Sequence, residues 1–315
     1  MDNSAATSAA TSRADSPAGS TGARYDAVVV GGGPAGLQAA LTLGRVHRSV
    51  LLLDSGRYRN ETADAMHNFL THDGTPPAEL RAAARAELAA YDTVDVRAVG
   101  AERVAPDEGG YAVDLADGST VRARGLVLAT GLRDTLPDKP GLAGLWGREA
   151  AHCPFCHGHE YAGRSVAVLG AGPAAGHLTR IMAPVASRLT VLADGAPLEA
   201  DLPDGVEVRS EPVVGFCRSA GGATVTFADG STEEHAGVFV VPVSTQAAPF
   251  AEQLGLATLP SGGVEVDVMG RTSLPRVHAA GDMAHVAALP MPMASVLVAA
   301  ASGMVAGAAM VAALL

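Results

Sequence analysis

Two copies of one local pattern predict an α/β fold. In each copy a short apolar strand runs into a glycine-rich turn, which is followed by a helical stretch and a second apolar strand. The turns occupy residues 31–36 and 170–175. Strand, turn, helix and strand in this order form a Rossmann βαβ unit, in which the turn and the helix N-terminus bind phosphates. The sequence therefore predicts two Rossmann-like dinucleotide-binding domains.

The first copy has every part of the pattern in register. Its strand reads YDAVVV, its turn reads GGGPAG, and its second strand ends at Asp54. Gly31 permits the tight turn, Gly33 lets the backbone approach a pyrophosphate, and Gly36 lets helix and strand pack closely. Asp54 follows at the spacing expected for an acid that accepts hydrogen bonds from an adenosine ribose. The predicted cofactor contacts of this unit are Gly31, Gly33, Pro34, Ala35, Gly36 and Asp54.

The remaining predicted elements fit around the two units. The second copy has a strand at residues 164–169, the turn GAGPAA and a strand at 189–192. A helix is predicted at 78–90. Residues 111–131 and 223–243 each read as a hairpin, because alternating residues flank an Ala-Asp-Gly turn.

Composition and the two chain ends restrict the function classes. The 315-residue chain has a net charge of −11 and no basic block, which disfavours nucleic acid and anionic membranes as partners. Three cysteines are too few for a secreted disulfide framework, so a cytoplasmic location is expected. Residues 1–24 lack an apolar signal-peptide core and are expected to be a disordered leader. The uncharged residues 289–315 match either a membrane span or a core helix that is hydrophobic all round.

Residues 152–161, HCPFCHGHEY, pose the main chemical question. Zinc needs about four N or S ligands, which this segment offers on paper. Adjacent residues such as Cys156 and His157 rarely bind one ion, however, and no second ligand pair follows. A redox-active disulfide between Cys153 and Cys156 is the favoured reading, with His157 exchanging thiol protons near neutral pH.

The other two histidines of this segment and the third cysteine of the chain have simpler interpretations. His152 and His159 are expected to be packed side chains. Cys217 is expected to be an inert core cysteine.

Together these motifs resemble a known family. Two Rossmann units, LATG at 128–131, AAGD at 279–282 and a CxxC before the second unit are similar to the low-molecular-weight thioredoxin reductases, which are two-dinucleotide-binding flavoproteins. The resemblance implies a discontinuous FAD domain, residues 25–142 plus 243–315, and a pyridine-nucleotide-type domain, residues 143–242, that carries the cysteines. It adds four FAD contacts, makes the C-terminal segment the buried helix of the FAD domain, and implies a homodimer. The four contacts are Thr130, Gly131, Gly281 and Asp282.

Two departures from the reductase pattern narrow the resemblance. After the second strand of the second unit, Asp194 occupies the place where basic residues would hold the 2′-phosphate of NADPH. Between the end of this strand and Arg209 there is no basic residue. His157 replaces the aspartate that commonly follows the CxxC. CPFCH and the loop NFLTHDG at 68–74 are similar to FAD-dependent dithiol oxidases of the holomycin and gliotoxin type.

This narrower resemblance implies a reaction. A small-molecule dithiol would be oxidised to an intramolecular disulfide with O2 as electron acceptor, giving H2O2, in natural-product biosynthesis or self-protection. Cys153 would be the exchanging sulfur and Cys156 the flavin-facing one. The alternatives are a thioredoxin reductase that depends on NAD(P)H or another donor, a non-catalytic flavoprotein and a zinc-binding module. Whether the second Rossmann unit binds any nucleotide stays open.

Overall fold

A computed structural model of the chain describes residues 24–315. The predicted leader, residues 1–24, lies outside the described residues except for Arg24, which begins the first strand. In chain order the strands are β1 (Arg24–Val30), β2 (Val50–Leu53), β3 (Val94–Arg97), β4 (Ala101–Asp107), β5 (Gly110–Leu115), β6 (Thr120–Leu128), β7 (Leu132–Thr135), β8 (Ala150–Ala151), β9 (Ser165–Leu169), β10 (Arg188–Leu192), β11 (Glu207–Arg209), β12 (Val213–Ser219), β13 (Gly222–Phe227), β14 (Thr232–His235), β15 (Gly237–Val240), β16 (Val243–Gln246), β17 (Val264–Val266), β18 (Val277–Ala279) and β19 (Ala284–Val286).

The helices fill the connections between these strands. The α-helices are α1 (Pro34–Gly44), α2 (Pro77–Leu88), α3 (Pro154–His157), α4 (Pro173–Met182), α5 (Phe250–Gln253) and α6 (Val296–Leu314). Short 3-10 helices span Leu142–Leu145, His159–Tyr161 and Gly281–Met283.

The larger sheet has seven strands in the order β3-β2-β1-β6-β5-β4, and β18 also pairs with β6. Strands β3, β2, β1, β6 and β18 run parallel, whereas β5 and β4 form an antiparallel extension. Ligands of such sheets bind beyond the carboxyl ends of the parallel strands. The turn after β1, the loop after β2 and the residues after β6 and β18 therefore meet at one edge.

The second sheet is built from the middle of the chain. Its five parallel strands follow the order β11-β10-β9-β15-β8, and an antiparallel sheet of β12, β13 and β14 packs beside it. The chain passes between the two large sheets twice, through β7 and β16. These two strands pair antiparallel, with Thr135 opposite Val243.

Most predicted elements form close to their predicted bounds. Both glycine-rich turns lie between a strand and a helix, and the helix predicted at 78–90 is observed as α2. The hairpin predicted at 111–131 is β5 and β6. The one predicted at 223–243 forms through β13 and β14, but β15 leaves it and joins the parallel sheet because its four residues are all buried.

Helix α6 packs along α1 on one face only. Gly303 lies so close to the Ala35 carbonyl that a Cβ atom at this position would overlap it, so only glycine permits this approach. The opposite face is apolar and open, with Leu297 46% and Met304 50% exposed. The prediction of a buried helix is therefore confirmed for the face of α6 that packs on α1. It is wrong for the opposite face, which is exposed. By length and composition alone α6 could also cross a membrane.

Candidate active site

The first glycine-rich turn leaves an open space at the start of α1. Gly31 has φ +121°, and a Cβ atom there would overlap the Ala129 carbonyl oxygen, so the turn requires glycine. A Cβ on Gly36 would overlap the Gly31 carbonyl oxygen, which ties the first turn of α1 to the loop. Gly33 differs, because a Cβ there would meet no atom within 4 Å. Pro34, which has no N–H, begins α1, and the N–H groups of Ala35 and Gly36 in this first turn are free to bind a phosphate.

The predicted ribose ligand Asp54 is buried and already has partners. Its carboxylate accepts hydrogen bonds from the Tyr58 hydroxyl at 2.7 and 2.8 Å and from the Gly56 N–H at 2.9 Å. Arg85 donates to it at 3.1 Å. Burial and the neighbouring Asp54 carboxylate raise the pKa of Tyr58, which therefore stays a hydrogen-bond donor. A ribose hydroxyl at Asp54 would have to share the carboxylate with Tyr58.

A largely buried arginine, whose side chain is 17% exposed, joins several parts of the first site, and sequence reasoning missed it. Arg59 donates two hydrogen bonds to Asp134, at 2.7 and 2.8 Å, and one to Asp282 at 2.9 Å. Asp134 lies on β7 and also accepts a hydrogen bond from Ser244 on β16 at 2.6 Å. The predicted FAD ligand Asp282 is therefore linked through Arg59 to the strands that connect the two sheets. No local sequence pattern marks Arg59.

Burial and the Arg59 charge shift the pKa values of Asp134 and Asp282 in opposite directions. Burial favours the protonated form of Asp134, but the hydrogen bonds from Arg59 and Ser244 hold its pKa below the usual range. Burial raises the pKa of Asp282 despite the lowering charge of Arg59. Asp134 is thus the stronger anionic partner of the guanidinium.

The other predicted FAD contacts lie at the same edge of the sheet. Strand β18 pairs with the end of β6, so Leu128 lies opposite Ala279 and the two following segments are neighbours. The Thr130 N–H and hydroxyl lie 3.3 and 3.4 Å from the Met283 sulfur. Gly131 and Gly281 follow these strands in left-handed conformations, with φ +70° and +75°. The fold thus gathers all ten predicted FAD contacts at the edge where parallel strands end.

Cys153 and Cys156 form a disulfide, with their Cα atoms 5.3 Å apart. The pair spans the short helix α3, which follows β8 directly. Phe155, between the two cysteines, is 67% exposed. The redox interpretation of the decapeptide therefore has the geometry that it needs.

His157 presents one nitrogen that has no partner. Its Nε2 lies 3.4 Å from the Gly147 carbonyl oxygen, and Nδ1 is buried without a hydrogen bond. A carbonyl only accepts, so Nε2 carries the proton and Nδ1 keeps its lone pair. Burial lowers the pKa of His157, although Gly147 and the Glu160 charge oppose this. The residue is therefore a neutral base next to the disulfide.

The two flanking histidines differ from each other. The His152 ring stacks on Trp146 with the ring centres 5.6 Å apart, and burial together with the Arg59 charge lowers its pKa to about 4. The interpretation of His152 as a packed side chain agrees with this. For His159 the same interpretation is wrong, because the side chain is exposed on a 3-10 turn.

The loop between β2 and α2 reaches residues 146–161, the redox segment that carries the two cysteines. His67 lies with Nδ1 3.5 Å from Asp73 and Nε2 3.5 Å from Glu160. Arg148 and Asp64 form a second ion pair between the same two segments, at 2.8 Å. The loop that contains NFLTHDG is thus anchored beside the cysteines.

The second glycine-rich turn opens into a cleft of about 380 Å³ between the ends of β9 and β10. Among the described residues that line it, the only charged side chain is Asp194. Its carboxylate binds Lys139 at 2.7 Å and accepts the Val213 N–H at 2.7 Å. The N–H groups of residues 199 and 200 donate to the Ala171 carbonyl of the turn itself. No cation in this lining is placed to bind a 2′-phosphate.

The prediction that Cys217 is a core residue is wrong. A bulge between Val213 and Gly215 shifts the register of β12, so that Val213 and Phe216 point inward and Cys217 outward. Within residues 24–315 no three His, Cys, Asp or Glu side chains are grouped to hold a metal.

Two βαβ turns and a disulfide on the segment before the second one define a disulfide oxidoreductase with two dinucleotide-binding units. The chain belongs to the pyridine nucleotide-disulphide oxidoreductase family, whose model matches residues 25–303. It is 35% identical over 287 residues to thioredoxin reductase tcpT of Claviceps purpurea, across 84% of this chain and 88% of that protein.

Solved structures agree with this assignment. An oxidoreductase from Agrobacterium tumefaciens is 32% identical with a TM-score of 0.82, over 92% of this chain and 98% of the other. The crystal structure of HlmI is 31% identical with a TM-score of 0.82, over 92% of both chains. The predicted fold class and the resemblance to thioredoxin reductases are confirmed, and the protein is a flavoprotein oxidoreductase.

Proposed function

We propose that the protein uses FAD and O2 to oxidise a small-molecule dithiol to an intramolecular disulfide, with H2O2 as the second product. The observation that carries the proposal is the second cleft, in which the only charged lining side chain among the described residues is an aspartate. An NADPH-dependent enzyme needs a free cation for the 2′-phosphate, and here the neighbouring cation Lys139 is already paired with Asp194. This lining argues against NADPH as the electron donor, and in the proposed reaction the electrons enter through the disulfide.

The first site suits FAD. The open space at Gly33 and the free N–H groups of α1 fit the pyrophosphate, and Asp54 lies at the ribose end of the same edge. Thr130, Gly131 and Gly281 supply backbone contacts, and Asp282 with its partner Arg59 supplies the polar ones. Bound FAD supplies a two-electron acceptor that reoxidises the cysteine pair and passes the electrons to O2.

The residues of the redox segment divide the dithiol chemistry between them. A substrate thiol gives its proton to the His157 imidazole, and the thiolate attacks Cys153 while the Cys153–Cys156 bond breaks. Cys156 leaves as a thiolate. The second substrate thiol gives its proton to the Cys156 thiolate and attacks the substrate sulfur bound to Cys153. The bond to Cys153 breaks, Cys153 leaves as a thiolate, and the substrate leaves as a disulfide. In total the substrate loses two electrons and two protons, and the enzyme disulfide gains the two electrons. The assignment of Cys153 as the exchanging sulfur follows the family resemblance.

The setting of this reaction belongs to the same proposal. The FAD domain comprises residues 25–142 and 243–315, and the domain of residues 143–242 carries the cysteines. The protein acts as a cytoplasmic homodimer on a natural-product dithiol. The open apolar face of α6 supports the dimer, because an uncharged helical stripe of this kind is suited to burial against a second copy.

An NADPH-dependent thioredoxin reductase is the second candidate, favoured by the name of the Claviceps purpurea relative. One anaerobic experiment separates the two. Under the proposed function, stoichiometric dithiothreitol bleaches the flavin rapidly and NADPH does not, and admitted O2 restores the colour with release of H2O2. Rapid bleaching by NADPH, followed by reduction of added thioredoxin, would instead establish the reductase.

A further inference from the structure

His67 connects the loop of the first sheet to the redox segment through two carboxylates. Its Nδ1 faces Asp73 in the same loop, and its Nε2 faces Glu160 on the 3-10 helix that follows α3, each at 3.5 Å. Asp73 is held in turn by the Asn68 N–H at 2.7 Å. An imidazole between two carboxylates has a fixed orientation and carries positive charge when protonated.

Glu160 is fixed close to the base of the proposed reaction. It lies three residues after His157, and the N–H groups of Gly158 and Tyr161 bond to carbonyls one turn earlier, which makes the segment rigid. The Tyr161 ring is buried, and its hydroxyl donates to the Arg148 carbonyl. The backbone of Glu160 therefore has a constant position relative to the backbone of His157.

We propose that His67 is a positioning residue for the dithiol oxidation, which pairs with Glu160 and so prevents this carboxylate from keeping a proton on His157. This inference rests on the proposed function, because it concerns the proton transfer from the substrate thiol. An unpaired carboxylate near an imidazole stabilises the imidazolium, which is unable to accept a proton. The paired carboxylate leaves the imidazole neutral and basic.

The charges around His157 agree with this arrangement. After burial and Gly147, the Glu160 charge raises the pKa of His157 and the His67 charge lowers it. Burial chiefly lowers the pKa of His152, and the His157 charge lowers it further. The charges of His67 and His159 both act on Asp73, whose pKa is lowered chiefly by the Asn68 N–H. Of the charges that act on His157, the Glu160 charge is the one that favours the proton on this ring.

The test measures anaerobic flavin reduction by dithiothreitol against pH in stopped flow. In His67→Ala the acid limb of the rate–pH profile shifts to higher pH by about 0.5 to 1 unit. At a fixed pH on that limb the rate therefore falls about three- to tenfold. In Glu160→Gln the limb moves to lower pH, and the double variant follows Glu160→Gln. In His67→Lys the acid limb stays at the wild-type pH, because the lysine ammonium pairs with Glu160. Asp64→Asn, which breaks the second ion pair between the same segments, leaves the limb in place.

Two different failures are distinguishable. A wild-type protein that dithiothreitol does not reduce at any pH contradicts the proposed function. Separately, the titration of the His157 ring is followed by NMR in the flavin-loaded wild type and in the two single variants. Opposite shifts in His67→Ala and Glu160→Gln support the role of His67. Shifts in the same direction, or none, overturn it whatever the substrate is.

Discussion

Arg59 and Asp282 are 223 residues apart in the sequence, and their guanidinium and carboxylate groups are 2.9 Å apart in the fold. The same guanidinium binds Asp134, whose side chain is only 4% exposed. The contact joins the loop after β2, the residues after β18 and the strand that leads to the second sheet. Arg59 is therefore a junction between the proposed flavin site and strand β7, which leads to the second sheet.

Replacing Arg59 with leucine should lower both stability and flavin content. The change leaves two largely buried carboxylates without their cation, and breaking a buried pair in this way costs about 3 kcal/mol. Urea unfolding and flavin absorbance per protein measure the two effects. Arg57→Leu is the matched control, because Arg57 is an exposed residue of the same loop. Equal stability of the two variants would contradict the buried junction.

Replacing Gly33 with leucine should remove the flavin and leave the fold intact. No atom within 4 Å opposes a new Cβ there, so the side chain enters the space assigned to the pyrophosphate. Gly172→Leu is the counterpart at the second turn, where a Cβ also meets no atom within 4 Å. It should keep its flavin. If Gly33→Leu purifies with a full flavin load and an unchanged melting temperature, the first site has been assigned wrongly.

Replacing Cys156 with serine should abolish dithiol-dependent oxygen uptake while the flavin stays bound. The disulfide that accepts the substrate electrons is absent from this variant, and the first site is untouched. Cys217→Ser should keep the wild-type rate, because Cys217 lies outside the redox segment on an exposed strand. An oxygen electrode and the flavin spectrum provide the comparison. Wild-type turnover by the Cys156 variant would exclude the disulfide relay.

Replacing His157 with alanine should slow flavin reduction most at neutral and lower pH. The lowered pKa keeps this imidazole neutral, so the wild type retains its base as the pH falls. A general base contributes about 100- to 10,000-fold, and the deficit should shrink at high pH, where the substrate supplies its own thiolate. Stopped-flow rates across the pH range test this. A deficit that stays constant with pH would assign His157 a purely structural role.

His278 should make the fold less stable in acid. It is 1% exposed, neither ring nitrogen has a partner, and burial lowers its pKa from 6.5 to about 4. Between these two values the unfolded chain binds the proton and the folded chain does not, so stability falls as the pH drops through this window, by about 3 kcal/mol at most. His278→Phe should flatten this part of the stability curve. His177→Gln, at an exposed position on α4, should not.

The turns and their glycines are predictable from the sequence because each requirement is local. Gly31 needs a positive φ and Gly36 needs a close approach within the same unit, so a short pattern carries both. The CxxC pairing is local in the same sense. The edge at which the predicted FAD contacts meet follows from the parallel order of the strands.

Other features depend on distant partners and leave no local pattern. The acidic partners of Arg59 are 75 and 223 residues away. The position of Cys217 depends on a bulge in β12 that alternation does not reveal. Helix α6 is apolar on every face, so its sequence does not indicate which face packs on α1. His67 lies beside a recognised loop motif, but its contact with Glu160 exists only once the two sheets are assembled.

The packing of Gly303 against Ala35 also sets an order of events during synthesis. Strands β8 to β15 are contiguous in the chain, so the second sheet is complete as soon as residue 240 has emerged. The first sheet needs β18 and α6, which emerge roughly 150 residues after β6, about 10 to 30 s later at ribosomal speed. For that interval the apolar side of α1 lacks its cover and is a target for chaperones. Cofactor loading is therefore among the last steps in the maturation of the protein, after the cysteine-bearing half has folded.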